Sequence, residues 1–408
     1  MNKDSKHHWR FWPVILLAIF YPLNMNMIGL AIPIYFFRRA IPTEIIGLLS
    51  AATTITYSIS PIIFSKISDR LPRKTSVVIA MGGTFATQLI FYITLHPILF
   101  LLARLGEGFI VGLFWTNLQA SISDNIYHRH RRLTAFYNLS WNTGLILGLV
   151  MGAILTYLVD DLTIIFYSAP FFLLFNLLIA IFAFKEPRKN SYDSIASPNL
   201  QKNEDQNYND KFEATKHAEI ESIQFPLVYP FILIILYSLV RATVKFLFPI
   251  KSEILGFETY SVYGASIFYA LAQSIAMIGA SSISLKHLKV LHIIILIPIL
   301  IFTPIFGANT NYFIFIILFL IIGACTGMLY GISLRFVLIL NMKHKQSLYS
   351  AILESIIGIF FLVAPILAGY LSYIDLDLPF YVLTIICVFL SLSIIFLSQK
   401  QIKFNNSS

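Results

Sequence analysis

Charge and cysteine are both scarce in this 408-residue chain. Asp, Glu, Lys and Arg make up 12% of it against 57% hydrophobic residues, and mean hydropathy is +0.77. Those values lie outside the range of a water-soluble domain. The two cysteines, Cys325 and Cys387, both fall inside apolar runs, so the spacing carries neither a disulfide framework nor a Cys/His metal site, and no metal is expected. No Gly-Lys-Ser/Thr loop is present, which argues against a nucleotide-driven pump encoded in one chain. A membrane enzyme, such as a lipid-linked glycosyl or phosphoryl transferase, needs acidic or histidine clusters at a membrane face and often a sizeable external domain. The connectors are too short and too bare for that, so no catalytic residue and no cofactor are expected.

Long apolar runs fill the space. A spanning helix needs about 20 apolar residues, because its backbone must satisfy itself across roughly 30 Å of hydrocarbon. Twelve runs qualify, at 11–37, 46–64, 76–95, 97–122, 133–158, 162–184, 226–250, 260–283, 290–308, 311–336, 347–373 and 378–399. The first follows Lys3, Lys6 and Arg10 and is too long for a cleaved signal segment. The expected fold class is therefore an all-α membrane protein with twelve transmembrane helices.

The net charge of +9 resides in short connectors and forms no single patch, so a bilayer surface explains it better than nucleic acid. With the N-terminus inside, 23 of the 29 Lys and Arg lie inside, three outside (Arg38, Arg39, Lys251) and three within spans (Arg104, Arg241, Lys245). That imbalance predicts cytoplasmic termini in a multi-pass protein of the cell membrane. Between spans 6 and 7 the chain turns rich in Lys, Glu, Asp, Asn and Ser, which reads as a tether. The expected organisation is six spans in 1–184, a cytoplasmic linker at 185–225 and six spans in 226–408. The halves echo one another: Gly108, Gly112 and Trp115 in span 4 match Gly323, Gly327 and Tyr330 in span 10, as a duplicated transporter would.

Specific motifs point the same way. The connector Ser65-Lys-Ile-Ser-Asp69-Arg70-Leu-Pro72-Arg73-Lys74 resembles motif A of the major facilitator superfamily, with Ser65 and Pro72 in place of two glycines. Arg104-Leu-Gly-Glu107-Gly108 in span 4 resembles that superfamily's motif B. Gly144, Gly148 and Gly152 in span 5 partly resemble motif C, usually linked to antiporters, although Leu149 stands where that motif has proline. Span 1 is similar to a motif of drug/proton antiporters that begins with Asp, but Asn24 takes the acidic position, and an amide does not titrate. The resemblance implies two six-helix bundles around a midplane site, alternating access and a monomeric unit. It also implies that Asp69, Arg70, Arg73 and Lys74 form a conformational latch outside the substrate site.

Charges inside a span require a wet cavity, a partner or a ligand. Tyr237, Arg241 and Lys245 recur at helical spacing on one face of span 7, a cationic stripe suited to a carboxylate or phosphate. Arg241 is expected to line the central cavity, with Lys245 toward the outer mouth, or snorkelling out, and Arg104 with Glu107 on the opposite wall. Asn24, Trp115 and Gln119 complete the candidate substrate site. Glu107 is the first choice as proton carrier and Glu354 in span 11 the second; each also has a purely structural reading, as a partner of Arg104 or of Arg335 or Arg241. The function expected is secondary transport of a small organic solute, an anion favoured by Arg241 and Lys245, with proton coupling through these carboxyls. Export of hydrophobic compounds and a non-transporting receptor or sensor stay open as alternatives.

Overall fold

The computed structural model describes residues 11–61, 63–64, 71–123, 130–185, 223–283, 288–344, 348–401 and 403–404. Twelve helices follow one another: α1 Trp12–Arg38, α2 Thr43–Tyr57, α3 Arg73–Gln88, α4 Pro97–Ser123, α5 His130–Leu158, α6 Thr163–Leu178, α7 Tyr229–Ile254, α8 Thr259–Ser282, α9 Leu288–Ala308, α10 Tyr312–His344, α11 Leu348–Ile374 and α12 Leu378–Gln401. A helical turn at Ile90–Ile93 prolongs α3, and a π-turn at Ile179–Ala183 prolongs α6. Ten of these stretches are long and apolar enough to cross a membrane. The other two are α2, whose helical residues resume at 60–61 and 63–64, and α9, apolar over Ile294–Ala308. Each expected run thus coincides with one of these helices, and the chain is an all-α membrane protein with twelve transmembrane helices. Its only strands among the described residues are the two-residue pair Ile223–Gln224 and Lys403–Phe404, antiparallel.

Phe11, Lys185, Ile223 and Gln401 mark one end of the molecule, the linker side; the opposite end is the far side. Most of the expected linker, and Asp69 and Arg70 of the expected latch, lie outside the described residues.

Small residues decide which helices touch. A Cβ on Gly108 would meet the Thr53 carbonyl and one on Gly112 the Ser60 side chain, so α4 lies directly on α2. In the second half a Cβ on Gly323 would meet the Tyr269 carbonyl and one on Gly327 the Gln273 carbonyl, so α10 lies directly on α8. The sequence echo between spans 4 and 10 is therefore one packing solution used twice, fourth helix on second helix in each half. In α5, Gly144 and Gly148 admit the Ile19 and Leu23 carbonyls of α1, whereas Gly152 takes the ring of Tyr263 from the other half.

Gly327→Ala is expected to destabilise the fold by about 1–3 kcal/mol, since the neighbour in its way is backbone. Gly279 in the same α8–α10 region has nothing within 4 Å of a built Cβ. Gly279→Ala is therefore expected to be neutral or to stabilise by about 0.5–1 kcal/mol. Thermal unfolding in detergent separates them; equal midpoints would contradict the packing account.

The halves are clamped on the far side. Arg38 at the end of α1 forms a bidentate pair with Glu253 of α7 at 2.7 and 2.9 Å and also reaches Thr259 of α8 at 2.6 Å. Thr43 donates to the Gly369 carbonyl at 2.9 Å, and Tyr263 to the Met27 carbonyl at 2.7 Å. Within the second half, Lys251 joins Asp377 at 2.6 Å and also donates to the Gly307 carbonyl, tying α7 to the α11–α12 connector and to the last turn of α9. Arg38 is 41% exposed, so its ion pair contributes about 1 kcal/mol or less. Glu253→Gln is expected to raise far-side access to the cavity a few-fold, read as alkylation of a cysteine at Asn26. Unchanged reactivity would mean that the apolar contacts alone hold this side closed.

Candidate functional site

Helix α7 carries Tyr237, Arg241 and Lys245 one turn apart; Arg241 and Lys245 line the junction between the halves, while Tyr237 packs on Tyr330 and Phe361 within the second half. Arg241 Nη1 donates to the Tyr237 hydroxyl, and its guanidinium carbon lies 5.6 Å from the centre of the Tyr237 ring and 5.7 Å from that of Phe361. Gln273 Nε2 donates to the same hydroxyl at 3.3 Å. Lys245 reaches across to α1, where its Nζ donates to Asn26 Oδ1 at 2.7 Å. It therefore stays between the halves and does not snorkel to the outer mouth.

These groups enclose a cavity of about 50 Å³ whose polar lining includes Asn26, Asn142, Arg241, Lys245, Tyr269 and Gln273, from α1, α5, α7 and α8. Its walls hold no carboxylate, and neither cation forms an ion pair among the described residues. The charges of Arg241 and Arg104 both act on Lys245. An arginine and a lysine at mid-membrane with no ion-pair partner among the described residues form a basic site suited to an anion, because little solvent screens them. A space this small admits a charged end group or a water or two.

Arg104 and Glu107 are not in that lining. They pair at 2.5 Å inside the first half, where both are almost fully buried. Glu107 also accepts from Gln88 Nε2 at 3.2 Å, Gln88 Nε2 donates to Asn24 Oδ1 at 2.9 Å, and Asn24 donates to the Ala169 carbonyl. This network stitches α4, α3, α1 and α6 together. Asn24 accordingly faces the interior of the first half, and Asn26 takes the inter-half position. Two residues turn a helix by about 200°, so only one of the two amides points to the junction.

Glu354 of α11, six residues after the start of that helix, is exposed and stands one turn from Gly358, against which Ser58, just after α2, packs. Tyr57, Tyr137 and Tyr330 lie within electrostatic reach of its carboxylate, and it makes no ion pair among the described residues. Gln119 is exposed and hydrogen-bonded to Tyr137, and the Trp115 ring centre lies 5.4 Å from that of Tyr21 and 6.4 Å from that of Tyr137. Trp115 and Gln119 thus belong with this aromatic region and not with Arg241. Of the expected latch, Arg73 begins α3 and donates to Asn117 of α4 at 3.4 Å, and Lys74 follows it in the helix.

Sequence reasoning passed over Asn26, Asn142, Tyr269, Gln273 and Gln88. Four of these are carboxamides in the middle of apolar runs, and an amide in hydrocarbon demands a partner almost as a charge does. That signal was available.

Comparisons with known proteins agree with this architecture. A family model described as Major Facilitator Superfamily matches residues 14–340. Among solved structures, the nucleoside transporter NupG is similar at 13% identity and a TM-score of 0.70, covering 95% of this chain and 99% of that one. A bacterial homologue of the human lysosomal transporter Spinster, inward-facing and unoccupied, is similar at 11% identity and a TM-score of 0.73, covering 95% of this chain and 96% of that one. Identities this low speak to the fold alone. No curated protein sequence matches the chain.

Proposed function

The chain belongs to the major facilitator superfamily; we propose that it is a secondary transporter rather than an enzyme, and that its solute is a small organic anion moved by alternating access. One observation carries the proposal: Arg241 and Lys245 share a single inter-half cavity with no carboxylate in its walls. In this reading the anionic end of the solute pairs with these two groups and with Tyr237, Tyr269 and Gln273. The remainder lies toward the linker side among Trp115, Gln119 and Tyr137. Such a site is reached from one side at a time, and the bidentate Arg38 pair on the far side with the exposed Glu354 and Gln119 favours opening toward the linker.

The accessible carboxyl of Glu354 supports it as the proton carrier ahead of Glu107, whose oxygens are engaged by Arg104 and Gln88. Six spans on each side of a cytoplasmic tether, a latch of Asp69, Arg70, Arg73 and Lys74, a monomeric unit and a cell-membrane location complete the proposal. The 23-to-3 imbalance of basic residues supports cytoplasmic termini. Labelling of a cysteine at position 200 by an impermeant reagent in intact cells would contradict that orientation.

Counterflow of labelled solutes into proteoliposomes tests the substrate class, after thermal-shift screening has selected ligands that stabilise the folded state. Stabilisation and exchange by carboxylates or phosphates are expected. Response to hydrophobic cations alone would put the export of hydrophobic compounds in front, and binding with no counterflow of any solute would favour a receptor.

A further inference from the structure

A second cavity lies on the far side of the first half, away from the inter-half site. It measures about 360 Å³ and is bounded by the last turn of α1, the connector to α2, the α3–α4 connector and the start of α6. That volume falls within the usual range of small-molecule sites. Arg39 and His96 share its lining with Tyr35, Phe36 and Tyr167, and the transport reading uses none of them.

The donors there are held open. The Arg39 guanidinium sits over the Tyr35 ring, 4.4 Å from its centre, and makes no ion pair among the described residues. Asp161 is the nearby acid, but both its oxygens are engaged by Thr163, at 2.9 Å from the backbone N–H and 2.6 Å from the hydroxyl. Those two bonds, with a smaller contribution from the charge of Arg39, hold its carboxyl below the usual range. His96 Nδ1 accepts the Ile98 N–H at 3.4 Å, which leaves the ring proton on Nε2 as a donor. The Tyr35 hydroxyl is buried without a hydrogen-bond partner among the described residues, in a residue only 5% exposed. The 27-residue helix α4 starts at Pro97 in this lining and turns its positive dipole end toward the cavity.

The Arg39 fork matches phosphate as well as carboxylate, and the further donors from His96 and Tyr35 in the same lining can serve the additional oxygens of a tetrahedral anion. The apolar walls continue outward: Tyr167 stacks on Tyr92 at 5.2 Å between ring centres, and Tyr92 and Phe171 are 47% and 65% exposed. Exposed tyrosines at the end of a span are the residues that sit at headgroup level in a bilayer. We propose that this cavity binds a phosphate group carried by an amphiphile or a small organic molecule, with Arg39 as the main cation and His96 and Tyr35 as further donors.

The test measures equilibrium binding to the purified full-length protein of two probes, dihexanoyl phosphatidylglycerol and glycerol 3-phosphate. At least one probe is expected to bind saturably, with affinity reduced about tenfold or more in Arg39→Gln, reduced less in His96→Ala and unchanged in Arg241→Gln. Binding of the lipid alone identifies a headgroup as the source; equal binding of both identifies a free organic phosphate. Arg39 is exposed, so its replacement leaves the fold intact, and the unfolding midpoint checks this. Failure of both probes to bind, or equal affinity in wild type and Arg39→Gln, overturns the proposal. Loss in Arg241→Gln instead would assign the binding to the inter-half cavity and overturn it too.

Discussion

Arg241→Gln is expected to lower solute uptake about 100-fold while the protein still folds and reaches the membrane. The reason is an asymmetry between what the guanidinium does for the fold and what it does for a bound anion. In the empty cavity its contacts are the Tyr237 hydroxyl and two aromatic rings, with no carboxylate to compensate its burial, so removing the charge relieves a desolvation cost. It also removes the repulsion on Lys245. With an anion present, the same substitution deletes a desolvated charge-assisted contact, for which truncation costs about 2–5 kcal/mol; about 3 kcal/mol corresponds to roughly 100-fold. Arg241→Lys keeps the charge but loses the planar fork and should fall between the two. The measurement is initial uptake rate and ligand-induced thermal shift on the same preparations. Wild-type transport by Arg241→Gln would remove the anion argument.

Most of the fold could be read from sequence, because in lipid the number of structures a chain can adopt is small. A run of apolar residues with polar ends must become a helix, and each of the twelve expected runs coincides with one. Boundaries moved where local chemistry intervened. The run expected from 46 begins at Thr43, directly after Pro42, and the run expected to end at 336 continues to His344. The far-side clamp was not legible, since Arg38 and Glu253 lie 215 residues apart and each reads singly as an interfacial charge. The site was legible in part. Spacing alone put Tyr237, Arg241 and Lys245 on one face, and i,i+3 spacing alone paired Arg104 with Glu107. Which face points where is decided by neighbours: α1 is buried on nearly all sides, so nothing in its own pattern tells Asn24 from Asn26. The assignment of Arg104 and Glu107 to the opposite wall failed for the same reason. Gln88, on another helix, completes their hydrogen bonds and lets them stay inside the first half.

Glu354→Gln is expected to abolish proton-driven accumulation, bringing the ratio of internal to external solute down to about one, while counterflow of solute continues. A proton carrier must exchange with water in at least one state and must have no fixed cation that holds it charged. Glu354 fits both requirements better: it is exposed near the start of α11, and its neighbours are the hydroxyl-bearing rings of Tyr57, Tyr137 and Tyr330, with no ion pair among the described residues. Glu107 meets neither, since Arg104 and Gln88 engage it and it is fully buried. Gln preserves the size and hydrogen bonding of a protonated carboxyl, so the substituted protein mimics the permanently loaded carrier. Such a carrier still crosses with solute bound, which is all that counterflow requires, but it no longer converts a pH gradient into a solute gradient. Glu107→Gln, by contrast, should leave Arg104 buried and uncompensated and cost about 3–5 kcal/mol of stability, as breaking a buried ion pair does. Its signature is therefore a lower unfolding midpoint and less protein in the membrane, with the accumulation ratio per folded molecule retained. Accumulation that survives in Glu354→Gln and disappears in well-folded Glu107→Gln would reverse the two roles. The comparison is decisive because the carboxyls differ in what each mutation removes: from Glu354 a proton and nothing else, from Glu107 the counter-charge of an arginine.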